Sequence, residues 1–157
     1  MPDVTRDLWR ISNYKSLAGE GGLKYAARWH SAGRRIAYLA ESPAGALIEV
    51  LVHLELEEDE LPRSYMLFRV SVPDDLAIEE LSIPAGDGWK SNHYLTRQLG
   101  DEWLFRRQTA LACVPSAILP STSNYLLNPL HADAKRIRIM ESRPAEFDPR
   151  LLKHLRG

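Results

Sequence analysis

The chain has 157 residues, of which 45% are apolar and 26% charged, a composition typical of one soluble globular domain and not of a disordered or fibrous protein. Its formal net charge of −1 provides no basic field of the kind that concentrates a protein on nucleic acid or anionic lipid, so neither partner is predicted. No apolar run approaches about 18 residues and the N-terminal MPDVTRDLWR has no apolar core, so we expect neither a membrane span nor a secretory signal, and a cytoplasmic protein.

The predicted strands and helices follow one another without regular alternation. Strands are predicted where apolar and polar residues alternate, and helices where apolar residues recur at helical spacing behind a capping residue. In chain order they are a strand at 7–12, then after a glycine-rich loop at 13–22 a strand at 34–40, a helix at 43–56, a strand at 65–72, a helix at 91–107, strands at 110–114 and 136–140, and a short terminal helix at 147–155. Because regular β-α-β units are few, we predict an α+β fold, a compact mixed β-sheet core with flanking helices in a single domain.

The two longer helices carry recognisable start signals. Ser42, followed by proline, suits the N-cap of the first helix. Ser91 or Asn92 suits the N-cap of the second, although Gly100 within that helix counts against it. The first helix is apolar around most of its circumference, so we expect it to be covered on several sides, with Glu49 in the remaining strip facing either solvent or a cleft.

Four polar residues lie in segments that are otherwise apolar or turn-forming, where burying a polar group costs free energy unless something binds it. They are Arg28, Tyr38, Glu49 and Ser116. Pattern alone leaves structural interpretations open, since Arg28 beside Trp29 can bind phosphate or pack its stem on the ring, and a tyrosine in mid-strand, like Tyr38, is by default a core residue. Ser116 belongs to residues 115–129, PSAILPSTSNYLLNP, whose prolines, hydroxyls and amides are typical of an irregular structural wall.

Several common site motifs are missing from the sequence. No G-x-S-x-G surrounds Ser116 and no G-x-G-x-x-G follows a strand, so neither a serine hydrolase nor a classical dinucleotide fold is predicted. The five histidines show no H-x-x-x-H spacing, and no metal site is predicted. The single cysteine, Cys113, lies in an apolar run and is interpreted as a small core residue.

Three segments together resemble a known family. They are LWRIS at 8–12, RWHSAGRRIAYLAESPAGALIEVLVHL at 28–54 and VPSAILPSTSNYLLNPLH at 114–131. In this order, over about residues 8–140, they are similar to the RES-domain toxins, the toxic half of bacterial RES-Xre toxin-antitoxin pairs. One departure is that Ala26 and Ala27 stand where the family often carries glycine ahead of the arginine–tryptophan pair.

The resemblance implies a fold like that of ADP-ribosyltransferases and a reaction that cleaves the nicotinamide–ribose bond of NAD+ and so arrests growth. NAD+ is then a substrate and no cofactor is implied, with water or inorganic phosphate accepting the ADP-ribosyl group. The implied partner is an Xre-type helix-turn-helix antitoxin, bound in a hetero-oligomer. Two alternatives stay open, namely transfer of ADP-ribose to a specific cellular protein and a non-catalytic module that binds a partner.

The family's name refers to an arginine, a glutamate and a serine. These match Arg28, Glu49 and Ser116, with Ser121 as the other candidate for the serine, and Tyr38 matches the family's recurrent tyrosine. Bond cleavage develops positive charge on the ribose, which the carboxylate of Glu49 would stabilise. The guanidinium of Arg28 would hold the pyrophosphate, and the ring of Tyr38 would stack on nicotinamide.

The remaining assignments that the resemblance implies concern the rest of the ligand. Arg10 is the candidate for a second anchor of the pyrophosphate. Ser116 would hydrogen-bond the ribose or nicotinamide side, and Asn124 or Asn128 would brace the loop that surrounds the ligand.

Overall fold

Within residues 4–54 and 65–153, the parts of the chain that the computed structural model describes, seven strands form one mixed sheet with four α-helices beside it. The strands are β1 Thr5–Ser12, β2 Ala37–Ala40, β3 Met66–Pro73, β4 Ile78–Glu80, β5 Leu111–Pro115, β6 Ser123–Leu127 and β7 Arg138–Pro144. The helices are α1 Glu20–Lys24, α2 Pro43–Leu54, α3 His93–Arg106 and α4 Pro149–Lys153, with 3-10 turns at Gly88–Ser91 and Ala132–Arg136. The predicted α+β class is confirmed.

The strand order in the sheet is β4-β5-β6-β2-β1-β3-β7. Only β4 and β5 run parallel in this described sheet, and every other neighbouring pair is antiparallel. β6 pairs with β5 on one side and β2 on the other, so it lies inside the sheet. The prediction of an irregular wall over residues 115–129 is therefore wrong for β6, because two paired neighbours satisfy its backbone more completely than side-chain turns would.

The helix starts agree with the capping residues. Ser42 Oγ accepts a hydrogen bond of 2.9 Å from the backbone N–H of Gly45, and Asn92 Oδ1 accepts one of 3.1 Å from that of Leu95. Asn92, not Ser91, is thus the N-cap of α3. Gly100 does not interrupt α3, and a Cβ built on it would lie only 1.7 Å from the carbonyl oxygen of Trp29. Glycine is required there by the close approach of another segment, not by a break in the helix.

The two faces of the sheet carry separate cores. One core lies on the face that includes Leu8 and Leu39, and it contains mainly aliphatic side chains from β1, β3, β5 and β6. The other lies on the opposite face, where Trp29, Trp89 and Trp103 pack against apolar residues of β5 and β6. α3 contributes to this second core through Trp103, while α2 packs on β1 and β2. The second face thus has a helix at each side.

α2 is less enclosed than its sequence predicts. Among its described side chains Ala46 is buried, but Leu47, Ile48 and Leu51 are only half-buried and Val52 is exposed. The expectation that α2 is covered on several sides is wrong for this chain by itself, because most of its described apolar side chains remain partly open to solvent. Residues 55–56 of the predicted helix lie outside the described part. None of the described helices is long and apolar enough to cross a membrane.

Candidate active site

Glu49 lies in the middle of α2 and directs its carboxylate to the point where β5 ends and β6 begins. The side-chain N–H of Asn124 donates to Glu49 Oε1 over 2.7 Å, and the hydroxyl of Ser116 donates to the same oxygen over 3.1 Å. Two donors on one oxygen fix the orientation of the carboxylate. Oε2 makes no hydrogen bond within the described residues and is available to a ligand. Glu49 is half-buried, and its carboxylate lies against the sheet and not in open solvent; the space between α2 and this face of the sheet is the candidate cleft.

Ser116 follows β5 directly and is buried. Its oxygen also accepts backbone N–H groups of Ile118 at 3.1 Å and Leu119 at 3.2 Å, which holds the hydroxyl proton toward Glu49. Ser121, the other candidate for the family's serine, is exposed and has a φ of 63°. The geometry therefore favours Ser116 as the serine that accompanies the glutamate.

Tyr38 lies on β2 with its hydroxyl turned into the protein. The hydroxyl is 2.7 Å from His30 Nδ1 and accepts the backbone N–H of Trp29 over 3.2 Å. Burial raises the pKa of Tyr38 far above its ordinary value, so the phenol stays neutral. The residue as a whole is half-buried, which leaves part of the ring, and not the oxygen, accessible.

Arg28 comes from the loop between α1 and β2. Its NH1 group donates to the carbonyl oxygen of Lys90 over 2.7 Å, and its guanidinium carbon lies 6.0 Å from the ring centroid of Trp89. Burial lowers the pKa of Arg28, and the carboxylate of Glu49 opposes that shift. The guanidinium keeps its charge, since arginine is not deprotonated in proteins. The backbone N–H of Trp29, the next residue, binds the Tyr38 hydroxyl, so Arg28 lies beside the strand that carries Tyr38.

The strand register brings these side chains together. Tyr38 on β2 is opposite Leu126 on β6, and Ala40 is opposite Asn124. Asn124 is thus a diagonal neighbour of Tyr38 on the same face, at about 7–8 Å between Cα atoms. Since Asn124 also binds Glu49, the phenol ring, the amide and the carboxylate lie on one face of the sheet, and the segment that carries Arg28 is joined to them through the Tyr38 hydroxyl.

Arg10 and Asn128 do not join this group. Arg10 points to the opposite face of the sheet, because it is opposite Phe68 in the register of β1 and β3 and Phe68 belongs to the other core. It donates to the carbonyl oxygen of Tyr38 at 3.1 Å and to Ser12 Oγ at 3.2 Å. Asn128 follows β6 and lies four residues beyond the amide that binds Glu49, about 13 Å along an extended chain.

Both residues instead hold backbone segments together. Asn128 is buried, donates to the carbonyl oxygen of Leu104 over 3.2 Å and accepts the N–H of Leu130 over 3.0 Å. Arg10 is half-buried, and burial lowers its pKa while the carboxylate of Glu20 opposes that shift. Of the residues predicted to bind the substrate, the structure groups Arg28, Tyr38 and Asn124.

Comparison with known protein families adds to this geometry. A family model described as the RES domain matches residues 7–148. The chain belongs to the RES-domain toxin family. A protein named Toxin Res from Pseudomonas putida is 47% identical over 133 residues, which cover 84% of this chain and 90% of that protein. A protein named Prs ADP-ribosylating toxin from Sphingobium sp. is 35% identical over 161 residues, which cover 96% of this chain and 99% of that protein.

The fold of the RES domain is also found in a solved structure. The M. tuberculosis MbcT-MbcA toxin-antitoxin complex contains a chain that superimposes with a TM-score of 0.70 at 19% sequence identity, covering 98% of this chain and 90% of that chain. At this level of identity the match concerns the fold. It confirms the predicted architecture of a mixed sheet with flanking helices.

Sequence reasoning missed three parts of this RES site. They are the buried ring of His30, the backbone N–H of Trp29 and the carbonyl oxygen of Lys90. The only available signal for His30 is that it follows the arginine–tryptophan pair directly. Backbone groups leave no trace in side-chain patterns, and Lys90 is 62 residues from the arginine that it binds.

The RES site offers three kinds of contact to a ligand. A carboxylate presents one free oxygen, a guanidinium presents N–H groups that have no partner among the described residues, and an aromatic ring presents its edge or face. No group of histidine, cysteine, aspartate and glutamate within residues 4–54 and 65–153 could hold a metal ion. These contacts suit a ligand that is anionic at one end and becomes cationic at the other.

Proposed function

We propose that this RES-domain protein is a toxin that consumes NAD+ by cleaving its nicotinamide–ribose bond. The observation that carries the proposal is the carboxylate of Glu49, held at one oxygen by Ser116 and Asn124. An oriented carboxylate in a cleft is what the reaction needs, because the developing charge on the ribose is positive. Water or inorganic phosphate would accept the ADP-ribosyl group.

Arg28 supports the binding of the pyrophosphate. One of its nitrogens donates to the Lys90 carbonyl, and its other N–H groups have no partner among the described residues. A guanidinium suits two phosphate oxygens better than an ammonium does, because its N–H groups are parallel and planar. The accessible part of the Tyr38 ring lies on the same side of the sheet and supports stacking on the cationic nicotinamide.

A direct test measures nicotinamide release from NAD+ by purified protein from which any antitoxin has been removed. We expect wild-type turnover and a loss of about 100-fold or more in Glu49→Gln, which keeps the shape of the side chain and removes its charge. Glu41→Gln is the matched control, since Glu41 is an exposed carboxylate just before α2. Absence of nicotinamide from the wild-type reaction would count against NAD+ cleavage. Repeating the assay with and without phosphate distinguishes phosphorolysis from hydrolysis.

A second candidate is transfer of ADP-ribose to a cellular protein. The relative named Prs ADP-ribosylating toxin favours it, because its match extends over 96% of this chain. Both reactions use the same carboxylate and differ only in the acceptor. Cell extract treated with the enzyme and labelled NAD+ separates them, since stable label on a protein favours transfer and label in free ADP-ribose or its phosphate favours degradation.

We also propose that an antitoxin protein of the Xre helix-turn-helix type binds this chain and closes the cleft. The solved complex with the same fold is a toxin-antitoxin complex, and α2 beside the cleft has half-buried and exposed apolar residues. Co-expression with the helix-turn-helix protein encoded next to the toxin gene should yield a stable complex without nicotinamide release. Nicotinamide release by the purified complex, at the rate of the toxin alone, would contradict closure of the cleft.

A further inference from the structure

His30 lies buried beside the proposed NAD+ site, with only 2% of its surface exposed. Both of its ring nitrogens have partners. Nε2 is 2.8 Å from the carbonyl oxygen of Tyr25, and Nδ1 is 2.7 Å from the hydroxyl of Tyr38. Such short contacts on both sides make His30 a bridge between the backbone after α1 and the aromatic ring of the site.

The positions of the protons follow from the partners. A carbonyl oxygen can only accept, so Nε2 carries the hydrogen and donates to Tyr25. In a neutral imidazole Nδ1 is then an acceptor, and the hydroxyl of Tyr38 donates to it. Burial favours this neutral form, since it lowers the pKa of His30.

The hydroxyl of Tyr38 is thereby oriented from two sides. It donates to His30 and accepts the backbone N–H of Trp29, which belongs to the segment that also carries Arg28. A tyrosine has two side-chain torsions, and anchoring its oxygen at the far end of the ring limits both. The tyrosine therefore cannot direct its O–H at a ligand while these contacts persist.

We propose that His30 is a positioning residue, which holds the Tyr38 ring so that the tyrosine contributes an aromatic surface and no proton to the reaction. This inference rests on the proposed cleavage of NAD+. It deepens that proposal by separating two roles of tyrosine, namely stacking on the substrate and general acid–base catalysis. With His30, all three residues of 28–30 contribute to the site: Arg28 through its guanidinium, Trp29 through its backbone N–H and His30 through its ring.

A double-mutant cycle in the nicotinamide-release assay tests the inference. The variants are Tyr38→Phe, His30→Leu and the double substitution, with kcat and KM measured for each. We expect Tyr38→Phe to retain about a tenth or more of wild-type kcat/KM, mainly through a higher KM, because its ring remains. His30→Leu should have little further effect in the Tyr38→Phe protein, because the two residues act through one hydroxyl. The proposal would be overturned if the losses of kcat/KM in the two single variants multiplied in the double variant. A loss of about 1,000-fold in kcat/KM for Tyr38→Phe alone would also overturn it.

Rescue by a smaller polar residue separates positioning from a general loss of structure. In His30→Asn the amide oxygen can accept the Tyr38 hydroxyl from near the position of Nδ1, so kcat/KM should exceed that of His30→Leu severalfold at a similar unfolding temperature. Equal activities in two equally folded variants would count against a role through the hydroxyl. Thermal unfolding of each variant supplies the comparison of folding.

A measurement without substrate distinguishes failure of this inference from failure of the proposed function. Nitrogen NMR of histidine-labelled protein should show His30 neutral with its proton on Nε2, and Tyr38→Phe should move the Nδ1 resonance. A proton on Nδ1 would refute the arrangement whatever the activity. If wild-type protein releases no nicotinamide, the NAD+ proposal fails. The double-mutant cycle can then be repeated with growth arrest in cells as the measured effect, and it decides whether His30 acts through Tyr38.

Discussion

At the scale of single residues, Asn124 combines a hydrogen-bonded donor with a buried acceptor. Its N–H group binds Glu49, while its Oδ1 is buried and has no hydrogen-bond partner within the described residues. An unpaired buried acceptor costs about 1–3 kcal/mol. This cost is tolerated while the N–H group of the same amide orients the Glu49 carboxylate.

Asn124→Ala should therefore impair the reaction more than the stability of the protein. It removes one of two donors from the Glu49 carboxylate, and a hydrogen bond to a charged group contributes about 1.5–3 kcal/mol, so we expect kcat/KM for nicotinamide release to fall about ten- to a hundredfold. Asn128→Ala is the matched control on the same segment. It should lower the unfolding temperature through its lost backbone contacts and leave kcat/KM of the folded protein unchanged. Equal kinetic losses in both variants would contradict these assignments.

His30 should also make stability depend on pH. The pKa of His30 in the folded protein is lowered from 6.5, first by burial, with Arg97 acting in the same direction and Asp101 opposing it. In the unfolded chain His30 has its ordinary pKa of about 6.5 and therefore binds a proton at a higher pH than it does in the folded protein. The contribution of neutral His30 to the free energy of unfolding is thus fully present above about pH 6.5, and it is lost as the pH falls toward the pKa of His30 in the folded protein.

The pH effect can be measured by urea unfolding of wild-type protein and His30→Asn at several values from pH 7.5 to pH 5. We expect the stability of the wild type to decline more steeply over this range, since asparagine does not titrate. Parallel declines in both proteins would show that His30 is not the titrating group. Tyr38 does not contribute in this range, because its pKa is raised and it stays neutral.

At the scale of secondary-structure elements, the contact between α3 and the segment that carries Arg28 sets the cleft. Gly100 in α3 meets the carbonyl oxygen of Trp29, and Thr96 one turn earlier donates to the carbonyl oxygen of Arg28 over 2.6 Å. Arg97 donates to the carbonyl oxygen of Ala27 over 2.8 Å. α3 thus holds the backbone of this segment at close range, and the absence of a side chain at Gly100 allows it.

Gly100→Ala should be destabilising, although alanine favours an isolated helix by about 1 kcal/mol. The added Cβ would lie 1.7 Å from a backbone oxygen that cannot move without displacing Arg28 and Trp29. We expect a lower unfolding temperature together with a loss of nicotinamide release at temperatures where the variant is folded. Gly88→Ala is the control, since no atom lies within 4 Å of its added Cβ. If Gly100→Ala had the unfolding temperature and the nicotinamide release of the wild type, the close approach of Gly100 to the carbonyl oxygen of Trp29 would be contradicted.

At the scale of the whole molecule, the cleft lies on the second face of the sheet, between α2 and the segment that α3 holds. Glu49 comes from α2 and Arg28 from that segment. A dinucleotide that contacts both would join them, and any ligand that binds only the folded protein raises its stability.

NAD+ should therefore raise the unfolding temperature of the slow variant Glu49→Gln. At a concentration about tenfold above Kd the stabilisation is about 1.4 kcal/mol, or roughly 3–5 °C for a domain of this size. Arg28→Ala in the same background should abolish the rise. Arg10→Ala should lower the unfolding temperature without NAD+ and keep the rise, since Arg10 lies on the other face of the sheet. Loss of the rise in Arg10→Ala would restore Arg10 as a ligand of the pyrophosphate.

Local sequence was sufficient for the elements that depend on neighbouring residues. β1, α2 and α3 lie where alternation and capping predict them, because a cap such as Ser42 acts over three residues. β6 is not predicted, because its segment is rich in prolines, hydroxyls and amides, which are typical of irregular structure. The short β4 and the helix α1 likewise lack periodicity long enough to be recognised.

The sequence by itself determined the class of fold, the RES family and the residue types of the site, through three ordered segments that include Arg28, Glu49 and Ser116. Only the tertiary structure decided which groups meet. The hydrogen bonds of Glu49 join residues 67 and 75 positions apart, and no local pattern encodes such contacts. It also separated Arg10 from the site, because side chains of a strand alternate between faces and the sheet pairing decides which face lines the cleft.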